Sequence, residues 1–257
     1  MRPILFEVLG MPIYGYGLMI AIGIIAAALL LNYRAKKRNY NEDHIFNMLI
    51  VAVVAGIIGG KLLYLIVEYK EVLADPIGAI KNIGQGFVVY GAIFGGFLAV
   101  VLYCKKRKWN ALAVVDLAIP SVALGQAFGR IGCFLAGCCY GAETSCFLGV
   151  EFAASSMAPS GVHLHPTQLY SSLFNFLLAF FLLWYDKRKK NEGATFSMYL
   201  IVYSIGRFLV EFLRADPRGN VGFLSTSQFI AIFTFIIGIG YYFYIKNKGR
   251  VINSEEK

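Results

Sequence analysis

The stretch MPIYGYGLMIAIGIIAAALLL, residues 11–31, decides the fold. It carries no charge and is long enough to cross the hydrocarbon core of a bilayer, which a helix does with roughly 17–25 mostly apolar residues. It has no basic leader and no small-residue cleavage site, so it reads as an uncleaved helix rather than a signal peptide. Six more windows have the same character: 45–68, 86–104, 112–136, 168–185, 195–213 and 226–245. The fifth is the least regular, because QLYSS opens it and it turns uniformly apolar only after Leu173. Windows of this length do not suit transmembrane strands. The sequence therefore predicts an all-α integral membrane protein, a seven-transmembrane-helix bundle forming one membrane domain over residues 1–257.

Composition agrees. The chain is 58% hydrophobic and 15% charged, against about 25% charged residues in soluble domains. An ordinary soluble enzyme, a disordered tail and a secreted disulfide scaffold are excluded on that ground. Basic residues set the orientation. Arg34, Lys36–Arg38, Lys105–Lys108, Lys187–Lys190 and the C-terminal Lys246, Lys248, Arg250 and Lys257 gather on one side, sixteen of the 24 Lys and Arg. Positive-inside logic puts that side in the cytoplasm, with the N-terminus outside and the C-terminus cytoplasmic. The net charge of +9 thus reports topology and attraction to membrane lipid and calls for no nucleic-acid partner. The longest loop, about 137–167, faces outward and contains no Lys or Arg. Within it, VEFAASS (150–156) reads as a short strand or an interfacial segment. Gly56 with Gly60, Gly91 with Gly95 and Gly125 with Gly129 are spaced for close helix packing.

Charge inside a bilayer costs about 2.5–3.5 kcal/mol per Arg or Lys at mid-span. At about 1.5 Å per residue, Arg130 lies roughly 27 Å and Arg207 roughly 18 Å outward along their helices. Lys61 has a similar depth, and Tyr14, Tyr16, Tyr90, Gln168 and Tyr170 begin the inward-running helices, with His165 just above the fifth. Asp116 is the exception, near the cytoplasmic end. Convergence at the outer leaflet points to a site for an anionic group. Arg207, Glu211 and Arg214 share a helix face, so Glu211 orients one guanidinium and leaves the other for a ligand. Arg130 has no acid at helical spacing, and a planar guanidinium grips phosphate bidentately. Competing readings are headgroup snorkelling or an acid on another helix for Arg130, a structural ion pair for Arg207 and Glu211, and an aromatic belt for the tyrosines.

Four segments are sharper: YGYGLM (14–19), GRIGCFLAGCCYG (129–141), HPTQLY (165–170) and YSIGRFLVEFLR (203–214). Together with GGKLLYLIVEY (59–69) and DLAIP (116–120) they resemble, in order and over about residues 12–218, the bacterial phosphatidylglycerol–prolipoprotein diacylglyceryl transferase family. The resemblance implies a seven-helix enzyme of the bacterial cytoplasmic (inner) membrane with its site toward the outer leaflet. Such an enzyme moves the diacylglyceryl group of phosphatidylglycerol to the lipobox cysteine thiol of a prolipoprotein signal peptide. Glycerol phosphate leaves, and neither a metal nor an organic cofactor takes part. Arg130 matches the family's signature arginine and Arg207 its second functional arginine. Tyr16 and Gly141 match positions of functional weight, Glu211 matches an acidic one, and Tyr203 opens the block that carries Arg207. The resemblance thus implies phosphatidylglycerol binding by Arg130, Arg207, Tyr16, Gly141 and Tyr203.

The family's typical signature reads like GRxGNFxNGExxG, whereas here Cys133 and Cys138 replace the Asn and the acid. The usual HGG is Tyr90-Gly91-Ala92, so the histidine often proposed as base is absent, which marks a divergent, cysteine-bearing branch. Tyr90 stands in its place, yet a phenol with a pKa near 10 is a poor base at neutral pH. His165 suits that role better, beside a structural role in which it donates to a loop carbonyl. Cys133, Cys138, Cys139 and Cys146 gather on the outward side, where packing, a disulfide, a metal site and covalent catalysis all remain open; their spacing is no recognised zinc pattern. No GxSxG, P-loop, HExxH or dinucleotide fingerprint occurs. A related lipid transferase with another acceptor, or a transporter or redox protein using the outer cysteines, are the alternative functions.

Overall fold

The computed structural model describes residues 4–8, 11–74, 86–153, 157–216 and 219–255. Its helices are α1 (Gly15–Lys37), α2 (Glu42–Val67), the short α3 (Tyr69–Ala74), α4 (Val89–Arg107), α5 (Ala111–Ala136), α6 (Thr167–Asp186), α7 (Ala194–Glu211) and α8 (Thr226–Glu255). Six of them, α1, α2, α4, α5, α6 and α8, are long and apolar enough to cross a membrane. The predicted sixth span, 195–213, is the helix α7, which ends at Glu211 and falls short of that composition. Thr195, Ser197, Ser204 and Glu211 are buried along it, so its polar residues serve interior contacts at the expense of hydropathy.

Three small antiparallel hairpins punctuate the helices: β1 (Ile4–Val8) with β2 (Met11–Tyr14), β3 (Val150–Glu151) with β4 (His163–Leu164), and β5 (Asn220–Val221) with β6 (Leu224–Ser225). The first corrects the predicted start of span one: residues 11–14 are a strand, and Tyr14 precedes the helix rather than opening it. Of VEFAASS, Val150 and Glu151 are strand, and Ala154–Ser156 lie outside the described residues.

The chain divides into two compact units, residues 31–115 and residues 1–30 with 116–257. In the first, α2 begins at Asn41, whose side chain accepts the His44 N–H at 3.1 Å, with Glu42 and Asp43 favourably placed in the first turn. Glycines let α2 and α4 touch backbone to backbone: a Cβ on Gly59 or Gly91 would overlap the other's carbonyl oxygen. Lys61 Nζ donates to the Gly86 carbonyl at 2.7 Å. Gly91 and Gly95 therefore pack as predicted, as do Gly56 against Ala92 and Gly60 against Phe87, and Gly59 adds a further backbone contact on α2.

The second unit holds the start of α1 and α5 to α8. Gly23 meets Phe128 and the Gly125 carbonyl, while Gly129 meets nothing and is no packing residue. Ile119, Ala123, Leu178, Ala179, Leu182 and Tyr199 form its core. Interhelical hydrogen bonds supplement this packing: Gln126 Nε2 to Tyr199 Oη at 2.9 Å, Ser172 Oγ to the Ala127 carbonyl at 2.9 Å, and Ser197 Oγ to the Gly238 carbonyl at 2.8 Å.

Near the start of α5, Asp116 is fully buried and accepts from the backbone N–H of Gly193 at 2.6 Å and of Phe196 at 2.7 Å. It thereby caps α7 from another helix. Lys189 pairs with it and also with Asp186 at 3.3 Å. The intramembrane acid is thus a structural cap, which satisfies donors that a helix start leaves open.

Candidate functional site

The last third of α5 and the last turns of α7 bring three arginines together. Arg130 and Arg207 line one cavity with Ser171, Phe174, Asn175 and Tyr203. Its volume is about 10 Å³, room for about one water. Arg207 ion-pairs with Glu211 at 2.8 Å and donates to Ser227 Oγ at 2.6 Å. Arg214 forks onto Asp216, with Nε and an Nη each 3.0 Å from a carboxylate oxygen, and stands 3.9 Å from Glu211. That corrects the expectation that Glu211 leaves one guanidinium for a ligand: Arg207 on α7 and Arg214 just beyond it are both engaged by carboxylates.

Arg130 differs. It interacts with the Tyr203 side chain and with Cys133 and Cys139, and among the described residues no carboxylate lies within 4.0 Å of it. Across the same cavity Asn175 donates to the Ser171 carbonyl at 2.7 Å, while its buried Oδ1 has no hydrogen-bond partner among the described residues. The cavity is thus lined by a guanidinium that no carboxylate engages among the described residues and by an asparagine with an unused acceptor, donors and acceptors that suit an anion carrying a hydroxyl.

Gly141 fastens the loop that follows α5 to this site. Its N–H donates to the His165 carbonyl at 3.0 Å, and Ala142 donates to the Leu213 carbonyl at 2.9 Å. A Cβ at Gly141 would lie 2.6 Å from His165 and 2.7 Å from the Leu213 carbonyl oxygen, so no other residue fits without movement. The geometry gives Gly141 a splicing role. His165 is held by the same ladder, and its Nδ1 lies 3.3 Å from Tyr170 Oη.

Helix α5 ends in a reversal. Gly137 takes φ +72° and Cys139 φ +62°, the second a left-handed conformation that costs a non-glycine residue about 1–2 kcal/mol. The start of α6 holds the turn there: Thr167 Oγ1 donates to the Cys139 carbonyl at 2.8 Å and Gln168 Nε2 to the Cys138 carbonyl at 2.7 Å. The sulfurs of Cys133, Cys138 and Cys139 consequently lie within 4.8 Å of one another, none of them in a disulfide. Hydrogen bonds from Cys133 and Cys138, then the Arg214 and Arg130 charges, hold the Cys139 thiol below the usual range. Hydrogen bonding with Cys133 and Cys139, then burial, pushes Cys138 up.

Of the other sequence candidates, Tyr16 joins the site: its backbone abuts Gly132, and it feels Cys133, Cys138, Cys139 and Arg130 electrostatically. Tyr90 and Lys61 belong to the other compact unit. The sequence reading missed Ser171, Asn175, Thr167 and Ser227. A trace was present, since Gln168, Ser171, Ser172 and Asn175 are polar at spacings of three and four in an otherwise apolar helix.

Residues 3–244 match the family described as prolipoprotein diacylglyceryl transferase. A Clostridium tetani protein named phosphatidylglycerol–prolipoprotein diacylglyceryl transferase is 62% identical over 93% of this chain and 96% of its own length. A Clostridium perfringens protein of that name, numbered 2, is 56% identical over the full length of both chains. A Clostridium botulinum protein so named is 36% identical over 96% of this chain and 98% of its own.

Proposed function

The chain belongs to the prolipoprotein diacylglyceryl transferase family, and from that premise we propose how it carries out the reaction. It is a multi-pass membrane transferase that moves the diacylglyceryl group of phosphatidylglycerol to prolipoproteins, the first step of lipoprotein maturation. In our reading one membrane domain of seven spans sits in the bacterial cytoplasmic membrane, N-terminus outside and C-terminus cytoplasmic, with the site at the outer leaflet. The acceptor is the lipobox cysteine thiol of the signal peptide.

The observation that supports the site assignment is Arg130, without a carboxylate partner among the described residues, lining the cavity it shares with Arg207. A buried guanidinium with no carboxylate beside it gains from binding an anion, and a phosphate diester supplies one. The cavity opens to admit it. Arg130 then forks onto the phosphate oxygens, and Arg207, held by Glu211 and Ser227, adds a second donor. Both stabilise the charge that grows as the glyceryl C–O bond breaks. Tyr203 and Tyr16 flank the headgroup, and Asn175 Oδ1 accepts from the headgroup glycerol.

Sulfur attacks the glyceryl carbon and displaces glycerol phosphate. The thiol proton goes to His165 through Nε2, with Nδ1 engaged by Tyr170. Tyr90, in the compact unit that does not contain Arg130, takes no step in this scheme. Gly141 serves the reaction by fixing His165 and the Leu213–Arg214 segment. The test is complementation in bacteria depleted of their own transferase. The wild-type chain restores lipidated lipoprotein, and the Arg130→Ala chain, present in membranes at equal level, does not. Rescue by Arg130→Ala refutes the assignment.

A further inference from the structure

The catalytic scheme leaves Cys133, Cys138 and Cys139 unused, although the fold invests a strained residue and two side-chain hydrogen bonds in bringing them together. Among the described residues they are the one group placed to hold a metal ion. A tetrahedral ion with sulfur at about 2.3 Å separates its ligands by about 3.8 Å, so sulfurs within 4.8 Å of one another need close by about 1 Å, within the reach of side-chain rotation. Three sulfur donors select a soft ion such as zinc or copper(I) over magnesium or calcium. The Thr167 and Gln168 bonds to the Cys139 and Cys138 carbonyls fix the ligand backbone from outside, as the supports of a metal site do. A divalent ion on three thiolates carries a net charge of −1, and Arg214 stands close enough to Cys139 to offset it.

Three ligands leave one tetrahedral position open, the arrangement of a working rather than a purely structural zinc site. Cys133 lies three residues after Arg130 on one helix face and, with Cys139, interacts with it electrostatically, so the trio stands beside the guanidinium that lines the cavity. We propose that Cys133, Cys138 and Cys139 bind one zinc-type divalent ion and that the acceptor thiol enters as its fourth ligand. This deepens the transferase reading above and rests on it, and it departs from the metal-free reaction that the resemblance implies, at the signature positions where Cys133 and Cys138 replace the Asn and the acid. Loading releases three protons, one from each cysteine. The incoming thiol then loses its proton to His165, and the metal holds it as thiolate at neutral pH. Its lone pair forms the S–C bond as the glyceryl C–O bond breaks. Glycerol phosphate departs with that electron pair against Arg130 and Arg207, the thioether leaves the metal, and no oxidant or reductant is consumed.

Cobalt(II) tests this on the full-length protein in detergent, because its thiolate complexes absorb in the near ultraviolet and visible. The expected result is one cobalt per chain with thiolate-to-cobalt absorption. Cys138→Ser and Cys139→Ser lose the band, Cys146→Ser keeps it, and a lipobox cysteine peptide shifts it whereas the serine peptide does not. Chelation lowers turnover at least tenfold, and zinc restores it. Absence of the band in the wild-type chain, or its persistence in Cys138→Ser, overturns the site. A band indifferent to the cysteine peptide overturns the role of the fourth position. Arg130→Ala separates the two readings, since it stops turnover and leaves the band in place. If Arg130→Ala stops turnover while chelation and Cys138→Ser do not, the metal proposal fails and the transferase assignment stands.

Discussion

The two ends of the α5–α7 pair hold buried charge in opposite ways. At the Asp116 end the carboxylate meets Lys189 and two backbone N–H groups, so every charge has its counterpart inside the protein. At the Arg130 end, Arg207 and Arg214 have Glu211 and Asp216, and Arg130 has no carboxylate within reach among the described residues. Both cost desolvation. The first recovers it on folding and the second on binding, and that difference separates a structural charge from a functional one.

Removing a saturated charge should therefore damage stability most. Asp116→Ala leaves Lys189 with Asp186 alone and uncaps α7, and its expected cost is about 3–5 kcal/mol, read by chemical denaturation in detergent. Turnover per folded molecule stays near wild type; a large fall in turnover with stability intact would erase the contrast. Arg207→Lys keeps the charge and loses the planar fork. One charged hydrogen bond is worth about 1.5–3 kcal/mol, so turnover falls at least about tenfold while the melting temperature holds.

Much of this contrast was legible in advance. Hydropathy placed every long helix within a few residues at most ends, because apolar runs of span length have few other readings. It misread residues 11–14, where an apolar strand leading into an apolar helix shows no change of character. The isolation of Arg130 was readable from its own helix. The Asp116 cap was not, since its donors are 77 and 80 residues away. The pairing of Arg214 with Asp216 was equally hidden, because helical spacing pointed to Glu211 and the chain leaves the helix first. For the cysteines, the sequence gathered them but gave no sign that Cys139 would turn left-handed under the pull of Thr167.

Smaller effects sharpen the contrast from the loop side. Gly141→Ala pushes a methyl group into His165 and Leu213, and overpacking of this kind costs about 1–3 kcal/mol. Lower thermal stability should accompany a slower reaction, because the loop that carries His165 shifts; unchanged values for both would remove the splice. Smallest is a labelling rate. In metal-free protein Cys139 is held below, and Cys138 above, an ordinary thiol's range. As pH falls through about 8.5, the ordinary thiol value, Cys139 stays thiolate and its alkylation rate stays level. Cys138 reacts slowly throughout, and equal rates at the two would contradict the assignment.

The central claim is that Arg130 carries the charge of the departing phosphate. The most direct measurement is glycerol phosphate release by purified protein given phosphatidylglycerol and a lipobox peptide, with the thioether product counted in the same reaction. The account predicts one glycerol phosphate per modified peptide and a fall of about 10²–10³-fold in Arg130→Ala, with Asp116→Asn close to wild type per folded molecule. Release at the wild-type rate in Arg130→Ala would contradict it.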